Sequence, residues 1–157
     1  MKLFVITFLA LSALGGSALA GTTLTVTHGK TPDPAYLDFG APGESVGDQR
    51  IWEFGGKSGD EAVVMDWVMI TTGLSADKAA GVENRMTSAV FSFGSGGSDR
   101  ILVQGIGLYP AAGSTVKIDG KLERAIIGGT GKYAGAKGTV LTTHREDGTW
   151  QHVFSLE

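Results

Sequence analysis

The stretch ERAIIGGTGKYAGAKGTV, residues 123 to 140, contains five glycines. Two structures use glycine so densely: a loop that binds phosphate, or a tight corner between β-strands. A phosphate loop requires a helix directly after the glycines, because the helix N-terminus faces the anion. The residues that follow here, TVLTTHRE (139–146), instead predict another strand, since they are rich in β-branched side chains. We therefore interpret the stretch as a corner in which Tyr133 packs against the body of the fold.

The rest of the chain is also punctuated into short β-type segments. Each is bounded by Gly, Pro, Asp or Ser, and the connections GGKSGD, GSGGSD and EDGT are typical of hairpins. The predicted strands lie near 22–28, 47–54, 61–72, 82–93, 99–106, 121–127, 136–146 and 149–156. Helix signals are weak, and SADKAAGVENRM (75–86) predicts a loop with a helical turn. We expect an all-β fold, an eight-stranded antiparallel β-barrel with a central cavity, because closure removes exposed edge strands.

The third segment, EAVVMDWVMITT, is apolar on both faces. One face carries Met65 and Trp67, together with Val63 and Met69, and the other carries Val64, Val68 and Ile70. One face must look into the barrel, and the other is expected to be covered by loops or by a second subunit.

The N-terminus has the three-part layout of a secretory signal peptide: Lys2, an apolar run, and small residues ending ALA at 18–20. We expect residues 1–20 to be a signal peptide, residues 21–157 to form one domain, and the protein to be secreted or periplasmic. The net charge of −3 argues against a nucleic-acid partner. The chain has no cysteine, so the core and the strand pairing must hold the fold without disulfides. We expect no cofactor, no metal and no membrane span.

The glycine-rich segment AIIGGTGKYAGAKGTV resembles the barrel family that unites allene oxide cyclases and dirigent proteins. FSFGSGGSDRILVQGIG looks like the strand pair before it, and PAYL (34–37) and GDQRIW (47–52) occur in the cyclase order. The resemblance covers nearly all of residues 21–157. It implies an eight-stranded barrel around a mainly apolar cavity, and a possible homo-oligomer, dimer or trimer.

The resemblance also implies site residues. The cyclases use a first-strand glutamate, an asparagine two residues later and a proline to hold a water. When the two sequences are matched backwards from Pro34, Thr25 stands at the position of the glutamate and Thr27 at that of the asparagine. Trp52 stands at the position of an aromatic residue that lines the cavity of the cyclases. A threonine cannot supply a carboxylate's negative charge, so the family's catalysis is not expected here and the catalytic residues are unknown. The expected ligand-binding residues are Thr25, Thr27, Pro34, Trp52, Met65 and Trp67.

Other polar residues suggest weaker sites. Asp66 lies in the most apolar segment, where a carboxylate is either a catalytic group or, as we favour, an exterior charge. His144 and His152 should approach one another across the EDGT turn, while His28 lies on the first strand; a metal site would need a third ligand. Arg50, Arg85 and Arg145 are interpreted as exposed charges on the strands.

Two functions remain open at the level of sequence. The first is an exported barrel that binds a small hydrophobic or phenolic ligand, with a cyclase, isomerase or stereo-directing role. The second is a noncatalytic extracytoplasmic structural or interaction protein whose barrel is filled by its own side chains. An open cavity beside Trp52 would favour the first.

Overall fold

The computed structural model describes residues 21–74, 81–110, 113 and 115–157, which form nine β-strands and a 3₁₀ turn. The expected signal peptide and the helical turn expected within 75–80 lie outside the described residues. No helix in the described part of the chain is long and apolar enough to cross a membrane. The strands are β1 (Thr22–His28), β2 (Ala35–Leu37), β3 (Gln49–Ser58), β4 (Glu61–Leu74), β5 (Val82–Phe93), β6 (Asp99–Pro110), β7 (Lys121–Thr130), β8 (Gly138–His144) and β9 (Trp150–Leu156).

The sheet closes on itself. Neighbouring strands pair antiparallel in the order β1-β9-β8-β7-β6-β5-β4-β3, and β1 also pairs with β3 at Thr27 and Lys57. The eight long strands therefore make a closed antiparallel β-barrel, which confirms the predicted fold class. The short strand β2 adds to β3 from outside the ring, pairing Ala35 with Ile51.

Two local predictions differ from the structure. The strand β2 was not expected, because PAYL is too short and too close to prolines to show a strand period. The glycines of GGKSGD were expected in a turn, whereas Gly55 and Gly56 lie inside β3 and only Gly59 and Asp60 connect it to β4. A two-residue connection suffices because Gly59 has a positive φ of 59°.

The glycine corner has the predicted structure. β7 runs to Thr130, the 3₁₀ turn Gly131–Tyr133 follows, and the chain then enters β8. Gly131 has a φ of 59°, which favours glycine, and a Cβ at Gly129 would overlap the backbone of Tyr133. The Tyr133 ring is buried against Phe93, with ring centroids 4.8 Å apart.

The core fills the half of the barrel nearest this corner. Phe91 and Phe154 meet edge to face at 4.9 Å, and Val26, Ile101 and Met65 are fully buried around them. The inward face of β4 is the one that carries Met65 and Trp67, while Val64 on the other face is 42% exposed. Asp66 lies on that outer face and is exposed, as predicted.

Candidate functional site

The other half of the barrel contains a cavity. It lies where β1, β4, β6 and β8 end, it is partly open to solvent, and the space in it that the centre of a water molecule can reach is about 30 Å³. Its apolar walls are mostly aromatic. The lining residues are His28, Thr31, Trp52, Phe54, Trp67, Met69, Tyr109, Thr115, Val116, Arg124, Thr142, Trp150 and His152.

One wall carries a chain of hydrogen bonds that crosses four strands. Arg124 Nη1 donates to Thr142 Oγ1 at 3.0 Å, and Thr142 Oγ1 lies 3.0 Å from His152 Nδ1. His152 Nε2 lies 3.1 Å from His28 Nε2, and His28 Nδ1 lies 2.8 Å from the carbonyl oxygen of Gly29.

The ends of this chain fix the histidine tautomers. A carbonyl oxygen only accepts, so His28 carries its proton on Nδ1 and offers the lone pair of Nε2. His152 therefore donates from Nε2 and accepts at Nδ1 from the hydroxyl of Thr142. The Thr142 oxygen accepts its hydrogen bond from Arg124. Each group in this series of hydrogen bonds therefore has a partner while both histidines are neutral.

Burial keeps the two histidines neutral. Desolvation lowers the pKa of His28 from 6.5 to about 4, against the hydrogen bond to Gly29, which favours the charged form. Burial lowers the pKa of His152 well below 6.5, and the nearby His28 and Arg124 lower it further. Aromatic rings enclose the pair: Phe54 lies 4.8 Å from His28, and Trp67 lies 5.6 Å from His152, measured between ring centroids.

Arg124 is the cation of the cavity wall. Its side chain is buried, its Nη2 donates to the hydroxyl of Tyr109 at 2.6 Å, and its guanidinium lies 5.1 Å above the centre of the Trp67 ring. Two glycines of β6 lie close to inward side chains of β7. A Cβ at Gly105 would come within 2.8 Å of Arg124 Cγ, so this glycine makes room for the arginine, and a Cβ at Gly107 would come within 2.9 Å of Leu122 Cδ2.

A second buried polar cluster lies at the same end of the barrel. Glu83 forms ion pairs with Arg50, at 3.1 Å, and with Arg85, and Thr71 donates to Glu83 at 3.2 Å. The exposed positions predicted for Arg50 and Arg85 are therefore wrong: both are buried, because Glu83 on the inward face of β5 neutralises them. Arg145 is half exposed, as predicted.

The carboxylate of Asp48, at the periphery of the barrel, holds the segment that contains β2 through hydrogen bonds. Asp48 is fully buried and accepts hydrogen bonds from the hydroxyl of Tyr36 at 2.8 Å and from the N–H groups of Phe39 and Ser45, each at 2.9 Å. Burial raises the pKa of Asp48, but these hydrogen bonds and nearby Arg50 outweigh that effect and lower it. The ring of Tyr36 then covers the Arg50 guanidinium at 5.0 Å.

The six predicted ligand-binding residues lie in different parts of the structure, and only two of them line the cavity. Trp52 and Trp67 line the cavity. Met65 points inward but belongs to the packed core. Thr25 and Thr27 alternate with buried Val26 and His28 and so face outward, which corrects their expected place in the cavity. Pro34 is half-buried and does not line the cavity, although the same segment reaches it where Trp52 Nε1 donates to the carbonyl oxygen of Pro32 at 3.0 Å.

His144 and His152, which were expected to lie close together, are not directly opposite one another in the strand register. In the register of β8 and β9, His152 lies opposite Thr142 and His144 lies opposite Trp150, on which it stacks at 4.1 Å. His152 meets His28 instead, because β1 is the other neighbour of β9. Within the described residues, no three side chains of the metal-binding types lie close enough together to hold an ion.

Arg124, His28 and His152 were not predicted as site residues, although a signal was present. Arg124 alternates in phase with Leu122 and Ile126 in KLERAII, and His152 with Trp150 and Phe154. A strand with one buried face places all residues of that phase inside. The alternation of residues along this strand therefore predicts that the positively charged side chain of Arg124 points into the barrel.

Comparison with known proteins supports the fold. A solved structure described as "Pyocyanin demethylase" is similar to this chain with a TM-score of 0.60 and 23% sequence identity, over 87% of this chain and 100% of that one. No protein-family model matches the sequence, and the search of curated proteins gave no match either. Identity this low shows a shared small β-barrel fold, and the expected kinship with cyclases and dirigent proteins gains no support beyond that fold.

Proposed function

We propose that this protein is an exported barrel that binds a small, flat, mainly apolar ligand in the cavity at the open half of the barrel. The main observation in support of this function is that aromatic side chains converge on the cavity. The chain has three tryptophans, and Trp52, Trp67 and Trp150 all line this cavity. Aromatic walls with a few placed polar groups are typical of small-molecule sites.

The cavity favours this function over a purely structural barrel. Side chains pack the half of the barrel near Phe91 and Phe154, whereas a small, partly open space remains beside Trp52 and Trp67. A barrel that only needed stability would gain packing energy by filling that space. The buried guanidinium of Arg124 also lines the space, and arginine is rarely buried in a purely structural core.

Within the described residues the cavity wall contains no carboxylate, so a glutamate-based cyclisation has no counterpart. The nitrogen lone pairs of His28 and His152 are engaged in hydrogen bonds with each other and with Thr142, so either histidine could take a proton from a ligand only after one of those bonds breaks. We therefore propose ligand binding as the primary function, and an isomerisation that moves a proton on the bound ligand as the reaction class to test. The resemblance to cyclases and dirigent proteins supports a fatty-acid-derived or phenolic ligand, and the name of the structural neighbour adds pyocyanin as a compound to test.

Tryptophan fluorescence tests the binding function directly, because every tryptophan of the chain reports on the cavity. We expect phenolic compounds or medium-chain fatty acids to quench or shift the emission with a saturating dose response, and ATP to give no response. Trp52→Phe should reduce the amplitude while binding persists by calorimetry. A response to ATP alone, or to none of the phenols, fatty acids and pyocyanin, would refute ligand binding of this class.

Export is the second part of the proposal and rests on the layout of residues 1–20. Mass spectrometry of the extracytoplasmic fraction should find a mature chain beginning at Gly21. Recovery of only the unprocessed chain from the cytoplasm would contradict it.

A further inference from the structure

The charges buried near the cavity do not balance. Buried Arg50 and Arg85 share the carboxylate of Glu83, and Arg50 also lowers the pKa of the buried Asp48 carboxyl. Arg124 has no such partner: in the described part of the chain, no carboxylate lies within 4.0 Å of its guanidinium. Among the described residues, Arg124 is thus a buried cation with no acidic partner, in a protein whose net charge is −3.

The groups that contact Arg124 are neutral. Thr142 and Tyr109 accept from Nη1 and Nη2, and the ring of Trp67 lies beneath the guanidinium. A guanidinium has five N–H donors, and two hydrogen bonds leave donor capacity unused. A buried charge that meets only neutral dipoles is costly and gains strongly from an anion.

A second, independent observation on the same wall indicates a missing acceptor. The indole N–H of Trp67 is buried and finds no hydrogen-bond partner among the residues that the structure describes. It belongs to the ring that the Arg124 guanidinium covers, and that ring lines the cavity. The nitrogen lone pairs of His28 and His152 are already used within their own hydrogen-bond chain. The wall therefore offers donors and a positive charge, and among the described lining residues no carboxylate stands opposite them.

We propose that the ligand of this cavity carries an oxyanion, a carboxylate or a phenolate, which binds Arg124 while its apolar body lies against the tryptophans. This inference rests on the proposed function and narrows its ligand class. The oxyanion neutralises the buried charge through charge-assisted hydrogen bonds, and it can accept from the Trp67 N–H after a small shift of the ring. Arg124 is then a specificity-determining residue for acidic ligands.

The test compares acids with neutral compounds of the same shape. Benzoate is matched with benzamide, and 2-naphthoate with 2-naphthamide, so that each pair differs chiefly in charge. Calorimetry and tryptophan fluorescence at about pH 7.5, in a buffer low in chloride, should show the acid of a pair binding about 10- to 100-fold more tightly than the amide.

Two substitutions assign the preference to Arg124. Arg124→Gln should remove it, and Arg124→Lys, which keeps the charge but not the fork of donors, should retain part of it. Arg100→Gln is the matched control: it removes one positive charge from an exposed residue of β6, outside the cavity lining, and should bind like the parent. Thermal unfolding monitored by circular dichroism shows that each variant is folded.

The outcomes separate this inference from the function on which it rests. If acid and amide bind the parent equally, the oxyanion preference is refuted while ligand binding stands. If acids are preferred and Arg124→Gln keeps that preference, Arg124 is not the recognition group and the inference is refuted. If neither compound of either pair binds the parent, both this inference and the binding of small aromatic ligands are refuted. Should Arg124→Gln fail to fold, the parent and Arg124→Lys comparisons still decide the outcome.

Discussion

At the scale of single residues, the contact between His28 and His152 makes stability depend on pH. Their Nε2 atoms share one proton across 3.1 Å inside an aromatic enclosure. Protonation of His28 would put a second N–H between them and place a charge in a buried, mainly aromatic site. Because its folded pKa is lowered from 6.5 to about 4, the unfolded chain binds this proton more readily between those two values.

We therefore expect the free energy of unfolding to fall as pH decreases from about 6.5 to about 4, with the full penalty present below about 4. The shift of His28 corresponds to roughly 3 kcal/mol if it is fully expressed. Urea unfolding at a series of pH values measures this change. The pKa of His152 is also lowered, so His152 contributes a pH dependence of the same sign. His28→Gln should therefore reduce the slope in this window without abolishing it, and an equally steep profile in the variant would show that His28 does not contribute.

At the scale of elements, the closure of the barrel depends on Gly56 of β3. A Cβ added at this position would point into the barrel and come within 2.8 Å of the Thr27 carbonyl oxygen and 2.7 Å of Met65 Cε. A glycine here lets β1 approach β3, next to the pairing of Thr27 with Lys57 that closes the ring.

Gly56→Ala should therefore destabilise the protein by about 1–3 kcal/mol, because the new methyl group overpacks the junction. The neighbouring Gly55 provides a matched control, since it points outward and a Cβ there meets nothing within 4 Å. Gly55→Ala should change stability by less than about 0.5 kcal/mol. Both values come from denaturant unfolding, and equal effects of the two substitutions would contradict a specific role of Gly56 in closure.

The elements also show how far the sequence could predict the site. The alternation of residues in TTLTVTH predicts Leu24 and Val26 on one face of the strand, and the structure agrees. Thr25 and Thr27 were expected inside the barrel only because the residue spacing of the cyclase family was applied to this sequence, counting back from Pro34. One consequence is that Thr25→Glu would place its carboxylate outside the cavity. Turn residues and alternation were enough to predict eight of the strands.

Buried charges could not be predicted in the same way. Arginine is usually exposed, so Arg50 and Arg85 looked like surface residues. Glu83 and Arg85 lie two residues apart on the same face of β5, and the fold brings Arg50 of β3 to the same carboxylate. That encounter depends on β3 and β5 both neighbouring β4, which is a property of the whole sheet. The meeting of His28 with His152 similarly joins the first strand to the last.

At the scale of the whole molecule, the outer surface of the barrel carries an apolar row. Strand register places Ile70 opposite Met86 and Met86 opposite Ile106, all on the outer face. Ile106 and Leu108 are each 62% exposed. A contiguous apolar patch on a protein surface usually marks an interface, so we expect a second copy of the chain to cover this row in a homo-oligomer, a dimer or a trimer.

Ile106→Glu should shift the protein toward monomer, because it places a charge in the centre of the patch, where association would desolvate it. Light scattering after size-exclusion chromatography, supported by native mass spectrometry, measures the state over a range of concentrations. Leu141→Glu is the control, since Leu141 is an exposed leucine on β8, away from this row. A parent protein that is monomeric at every concentration would refute the interface, and dissociation caused by Leu141→Glu alone would place it on the β8 side of the barrel.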